Sequence, residues 1–546
     1  MGLSLTTLDW MIGGGALVFN ILLGLWLAMR HRQSGSSDEF FLAGRRLTWP
    51  VVGASLLATN IGAEHMVGLC GDAYRYGFCA GAIELTAGFS LGIAVAFLIP
   101  YYVKNQVFTI PEFLEIRYRK EARLFFSGMM LVICVVTKMA FCLYAGALVL
   151  KQLLGWEIMP TIAMLAAITA IITVIGGFAV VAYTDAIHAP IMIIGSALVL
   201  IIGLHQVGGW DGLCTALAAS PLPAVRDALH MHKSYTDPVY PFWGILLSSI
   251  YGGTFYWGID QVNVQRMLGA KNLDHSRWGA MFGVLLKLTP AFIFALPGII
   301  VLARHPGIAD QRSIFVTILN EMLPSGIRGY VLSALVGAII SALIAVMNSI
   351  STMAVRDFFL HFRPQTAERT QIILGRAAIV LSAVLGAAAA YWVHRQPEGI
   401  YKYLQTISIY LVTPIAPAII FGIVSKRVTF TGAAASVLTG LMLSGIFLID
   451  CFLEVLRSPA TAKAFFPWLH YTLTENYSYR GAWETLIVIG VLFLVSAFTK
   501  KTDSLKLAKT TIDWSAPREP FRGLVDWRLH FAVLMAITAG AYWWFW

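Results

Sequence analysis

Long apolar stretches alternate with short polar links along nearly the whole chain, and each stretch is close to the roughly 20 residues that a helix needs to cross a bilayer. About fourteen such windows can be drawn, at roughly 7–29, 48–72, 77–104, 122–153, 158–177, 184–206, 238–266, 274–303, 327–360, 370–394, 400–424, 428–453, 482–499 and 525–546. The pattern predicts an all-α polytopic membrane protein. With the N-terminus outside, alternate links place about 25 Lys and Arg residues on the cytoplasmic side and about 12 outside, so both termini are expected outside. No basic residue precedes the first apolar run, which reads as an uncleaved spanning helix rather than a signal peptide.

Two interruptions stand out. In ASLLATNIGAEHMVGLCG (54–71), Asn60, Glu64 and His65 lie inside an apolar segment, where a charged side chain costs at least ~2.5–3.5 kcal/mol and must face protein or a wet cavity. Thr59, Asn60 and Gly62 are poor helix formers side by side, so unwinding is expected near 59–62. The alternative is a continuous helix whose polar residues bond a neighbouring helix. In the seventh window the pair Gly252-Gly253 falls in mid-span and predicts a break or a close approach. Windows two to six and seven to eleven each make five crossings, so the second set is inverted relative to the first, which permits an inverted repeat.

Composition narrows the function. At 546 residues, 58% hydrophobic and 12% charged, the chain has no polar stretch long enough for a separate soluble domain. The net charge of +10 is spread over short links, as membrane topology requires, so nucleic acid is set aside. Six cysteines show no metal-ligand spacing and are expected to be packing residues. Links 207–237 and 454–481 are long enough for small outer caps, and Asn476-Tyr-Ser478 is a glycosylation sequon. Gly88-Phe-Ser90-Leu-Gly92 fits a hydrolase pattern only by accident, since no strand precedes it, and its glycines point to close helix packing. Nothing else suggests an enzyme.

The stretch FFLAGRRLTWPVVGASLLATNIGAEH and the run from Phe255 to Arg266 followed by Ala270-Lys271-Asn272 closely resemble the sodium/solute symporter family, in its sodium/glucose cotransporter branch. The resemblance extends to about residue 430. It implies a leucine-transporter-like 5+5 inverted-repeat core: an extra helix and cytoplasmic loop in 1–46, repeats in 47–207 and 208–424, and C-terminal helices in 425–546. Carried over by position, the solute-binding residues are Asn60, His65, Glu84, Lys287 and Gln405, with Tyr256 as an inner-gate ring and Trp257 beside it. Lys287 is in any case too deep to snorkel and needs a partner. Donors and acceptors of such different types suit a polyhydroxylated ligand; a structural Lys287–Glu84 ion pair and an interfacial aromatic anchor at Tyr256-Trp257 are the competing readings.

For the cation, the resemblance implies carbonyls of Ala58 and Ile61 with Ala338 and Ser341 on the eighth core helix, where i, i+3 spacing puts both on one face. Ala342 stands where most relatives carry a second hydroxyl ligand, which weakens affinity roughly 5–150-fold if the contact is worth ~1–3 kcal/mol. Ile344 and Ala345 replace serines that hold a second ion in some relatives, so the expectation is one Na+, weakly bound. Asp185 matches an aspartate near the sodium path, though it could instead cap a buried helix; His188, where relatives usually have Gln, raises proton sensitivity. Lys138 is assigned no ligand role. The expected function is sodium-coupled symport of a sugar or related polyol by alternating access, in the plasma (cell or inner) membrane. The alternatives are a proton-coupled or uncoupled carrier, and a solute sensor that does not transport.

Overall fold

The computed structural model describes residues 5–30, 36–235, 237, 239–311, 313–395, 412–456, 477–515 and 519–546. Among these there is no β-strand, only an isolated bridge between Leu47 and Ala270. The helices that matter for the site are α1 (Thr7–Arg30), α2 (Trp49–Asn60), α3 (Ala82–Ile93), α4 (Lys120–Leu154), α5 (Ile158–Gln206), α6 (Thr254–Gly258), α7 (Gln261–Leu268), α8 (Leu273–Ile293) and α9 (Ile327–Met353). Around them stand α10 (Glu368–His394), α11 (Ile415–Val424), α12 (Phe430–Leu456), α13 (Tyr477–Ala497) and α14 (Trp527–Trp544).

Nine helices among the described residues are long and apolar enough to cross a membrane. The larger number of apolar windows arises from how the chain is cut. α5 runs for 49 residues, which would extend ~74 Å if straight, more than twice the ~30 Å of bilayer hydrocarbon. It is divided at Gly177 alone, whose φ of 59° and ψ of −166° leave the helical region, so two windows meet at one residue rather than across 178–183. Residues 400–411 lie outside the described ones, as do 457–476 with their sequon. The long link 207–237 carries two small helices, Gly209–Ala218 and Pro223–Arg226.

α9 is buried along almost its whole length, whereas α10 is mostly exposed, which places α9 at the centre and α10 at the periphery. Outward faces carry residues such as Leu381 and Met442, the latter 71% exposed, as expected of surfaces that meet lipid rather than water. In lipid, helices associate by close packing, and small residues allow it. A Cβ placed on Gly53 of α2 would lie 2.7 Å from the Gly279 carbonyl oxygen of α8, and one on Gly13 of α1 only 2.6 Å from the Gly329 oxygen of α9. α2 is thereby pressed onto α8, and α1 onto α9.

The backbone breaks are what position the site. α2 starts after Thr48 with Pro50 in its first turn and stops at Asn60; Ile61 is extended (φ −102°, ψ 116°), and helix resumes as a π-helical turn, Glu64–Leu69. The second break does not fall at Gly252-Gly253. Those residues belong to a π-helical turn, Ser249–Gly253, and the glycine serves close approach: a Cβ on Gly253 would meet Ser90 Oγ at 2.2 Å. The chain opens instead at Ile259 and Asp260, where the Asp260 carboxylate accepts from Val262 N at 3.1 Å and caps α7.

Candidate functional site

Because α2 ends at Asn60, that side chain stands at the end of a broken helix with its amide aimed inward. It donates through Nδ2 to the Tyr256 hydroxyl and accepts through Oδ1 from Lys287 Nζ. Lys287 Nζ also lies 2.6 Å from Glu84 Oε2 and 3.2 Å from His65 Nε2, and His65 Nε2 is 3.5 Å from Glu84 Oε1. The indole of Trp257 meets the Tyr256 ring edge-on, with centroids 5.2 Å apart, and is buried. Five polar side chains from α2, the turn after it, α3, α6 and α8 thus form one hydrogen-bonded cluster. Gln405 lies outside the described residues, and so does the side chain of Glu64.

The cluster holds one carboxylate, one ammonium, an imidazole, an amide and a phenol. In this conformation they bond largely to one another, so a ligand entering here must exchange these bonds for its own. A group that both donates and accepts, such as a hydroxyl, can replace either half of each bond.

One turn below, Asp185 gathers a second set. Its carboxylate accepts from Ser55 Oγ at 2.6 Å, from Thr59 Oγ1 at 3.3 Å and from the Ser341 hydroxyl, and Arg266 lies 3.5 Å away. Asp185 does not cap a helix: it sits within α5, and these partners come from α2, α9 and α7. Ser55, Ala58 and Thr59 are spaced i, i+3, i+4, so Ala58 shares the face that meets Asp185. Ile61 N donates to Leu57 O at 3.1 Å and the helix ends there, so the carbonyls of Ala58 to Asn60 lack the next turn of helix to bond them. Ile61, Ala338 and Ala342 are all buried, and Ala338 lies one turn before Ser341 on α9. His188 is buried beside Gly337 of α9, and neither ring nitrogen has a hydrogen-bond partner among the described residues.

α7 ties the two sets together. All eight of its residues are buried. Lys138, from a π-helical turn in α4, pairs with Asp260 and lies 5.9 Å from the centroid of the Tyr256 ring. Gln261 bonds the backbone at Ile110 and Phe108, and Gln265 donates to Phe41 O at 2.7 Å and Thr352 Oγ1 at 2.8 Å. Asp260 and Arg266 stand inside the run that carries the family resemblance, yet the sequence assigns them no role; it offers Thr59 only as a helix breaker and Ser55 not at all. Their signal was polar residues at helical spacing within apolar windows.

Comparisons with known proteins bear on the family and the fold. Residues 40–440 match the model of the Sodium:solute symporter family. The chain is 32% identical over 542 residues to Sodium/myo-inositol cotransporter 2 of Mus musculus, covering 92% of this chain and 78% of that protein. It is 30% identical over 462 residues to Sodium/glucose cotransporter 4 of Danio rerio, covering 79% and 70%. Among solved structures, a Na+-coupled sialic acid symporter in a substrate-bound outward-open state superposes with a TM-score of 0.74 at 18% identity, over 91% of this chain and 99% of that one, a likeness of fold.

Proposed function

Since the chain belongs to the sodium:solute symporter family, we propose that this multi-pass membrane protein is a secondary active transporter that couples sodium entry to uptake of a sugar or related polyol. The observation that carries the solute reading is the cluster of Asn60, His65, Glu84, Lys287 and Tyr256, whose bonds a polyhydroxylated molecule can exchange one for one. Gln405 completes the binding set, and Trp257 backs the Tyr256 ring, whose face suits the CH face of a pyranose or cyclitol. Relatives named for myo-inositol and for glucose share that chemistry.

The architecture proposed is about fourteen spans with two inverted five-helix repeats, 47–207 and 208–424, preceded by one helix and followed by three, in the plasma (cell or inner) membrane with both termini outside. One sodium ion sits among Ala58, Ile61, Ala338 and Ser341, beside Asp185, and is weakly held because Ala342 supplies no hydroxyl. Its binding fixes the broken α2 against α9 and favours the outward-open state. Solute then binds over Tyr256, and release inward follows loss of the ion. Each charge crossing 100 mV contributes about 2.3 kcal/mol.

A second reading is proton coupling, favoured by Ala342 and by the buried imidazole of His188, which has no hydrogen-bond partner among the described residues. Uptake of labelled sugars and polyols into proteoliposomes, with and without an inward sodium gradient, decides between them. Sodium-stimulated accumulation that disappears in Ser341→Ala supports symport at this site. Accumulation driven equally well by a pH gradient without sodium overturns the sodium assignment, and binding without flux of any solute overturns transport in favour of a sensor.

A further inference from the structure

Outside the central site, an apolar groove of about 240 Å³ opens between α4, α11 and α12, lined by residues that include Phe125, Phe126, Ala418, Ala433 and Val437. Its walls are almost wholly apolar, so water gains little by filling it. Its walls include the first turns of two spanning helices, beginning at Lys120 and Phe430, which sets its mouth at the level of the membrane interface.

That mouth is basic. The Arg119 guanidinium carbon lies 4.8 Å from the centroid of the Phe430 ring, and Lys506 Nζ donates to Tyr118 O at 3.1 Å; both rings line the groove. Thr502 Oγ1 lies 3.4 Å from Val428 O, which brings the exposed Lys500 and Lys501 to the same rim beside the exposed Lys120. Facing these cations are Glu121, on the groove wall, and Asp503, which already caps its own short helix. The Glu115 carboxylate is held by Arg123 at 2.7 Å. Cations gathered at the end of spanning helices recognise anionic headgroups, and an apolar slot beneath them takes an acyl chain.

We infer that this groove binds an anionic glycerophospholipid, with one acyl chain between Phe126 and Ala433 and the phosphate against Arg119 and Lys506. The inference is independent of the transported solute. It places a lipid contact where α4 and α11 meet α12, at a seam already held by Arg117 Nε donating to Gly422 O at 2.6 Å and Tyr118 OH donating to Ala418 O at 2.6 Å.

The test is native mass spectrometry of the full-length protein, delipidated in detergent and titrated with phosphatidylglycerol or phosphatidylcholine of identical chains. One phosphatidylglycerol retained with at least tenfold preference is expected. The preference falls to about twofold in the Arg119→Gln, Lys506→Gln double variant, whose exposed positions keep folding intact, and both lipids are lost in Ala433→Phe, which fills the slot. Equal retention of the two lipids, or a preference unchanged by the charge variant, overturns the inference. Retention undiminished in a folded Ala433→Phe protein overturns the chain's placement in the groove.

Discussion

Lys287 and Glu84 allow a structural ion pair and a pair of solute ligands to be told apart. The pair is buried on both sides, with side chains 6% and 9% exposed and Nζ to Oε2 at 2.6 Å. At an effective dielectric constant of ~20 their attraction is about 6 kcal/mol before the loss of hydration is set against it. Removing one partner strands the other in an apolar interior, which costs ~3–5 kcal/mol, whereas removing both is close to neutral. Lys287→Met and Glu84→Gln are therefore expected to lower unfolding free energy by about 3 kcal/mol each, and the double variant by about 1, a coupling of roughly 5 kcal/mol set by the same rule. Denaturant titration in detergent, followed by tryptophan fluorescence, measures the three values. Transport separates the two roles: the double variant regains stability but not uptake, because the solute has lost an ammonium and a carboxylate that hydrogen-bond it. Coupling below ~0.5 kcal/mol refutes the buried pair. Normal solute KM and uptake in the double variant refutes the binding role and leaves an ion pair that only holds α3 to α8.

Three further outcomes are expected. Tyr256→Phe removes the hydroxyl, now bonded by Asn60, that the entering solute takes over, a bond worth ~0.5–1.5 kcal/mol, so solute KM rises about 2–12-fold in uptake assays while sodium dependence stays unchanged. Ala342→Ser restores a hydroxyl beside Ser341 and lowers the sodium concentration for half-maximal uptake roughly 5–150-fold, and Ser341→Ala raises it by a similar factor; no change in either leaves the ion site elsewhere. Gly53→Val forces side-chain carbons against the Gly279 oxygen and the Phe282 ring, costing ~1–3 kcal/mol and folded yield on size-exclusion chromatography, while Gly14→Ala, with nothing within 4 Å of its new carbon, is silent.

Much of the fold could be read from sequence because lipid imposes a simple rule: backbone groups must bond within the span, so apolar windows become helices. The first break was legible at Asn60 and Gly62 because poor helix formers stand together there. The second was not. Gly252-Gly253 allows either a break or a close approach, and the structure takes the second: both residues stay helical, and Ser90 Oγ comes within 2.2 Å of where a Cβ on Gly253 would lie. The actual break follows from Asp260, whose carboxylate caps α7 and pairs with Lys138, a partner 122 residues away that no local pattern reveals. The same holds for the central cluster. Lys287 had to find a partner, but that Glu84, His65 and Asn60 all reach it depends on how α3 and α8 pack. Residues such as Ser55 and Thr59 were hidden for a different reason: a hydroxyl in an apolar helix usually bonds its own backbone, so only the position of Asp185 shows which ones turn outward.

Arg266 changes what a weak ion site means here. A carboxylate standing alone near the ion path would add a full negative charge to the attraction, but Asp185 already has a buried guanidinium 3.5 Å away and three hydroxyls donating to it. A sodium ion entering beside this group meets a nearly neutral pair rather than a bare anion, so the oxygens of Ala58, Ile61, Ala338 and Ser341 must hold it largely through their dipoles. Each missing dipole then matters more, and Ala342 removes one. Ser341 is prepared for the ion as well, because its hydroxyl donates a hydrogen bond to Asp185, which orients the oxygen and raises its negative charge. Disrupting Asp185 is therefore expected to act on the ion through Ser341 as well as through charge, and Asp185→Asn to weaken sodium activation more than the loss of one screened charge alone.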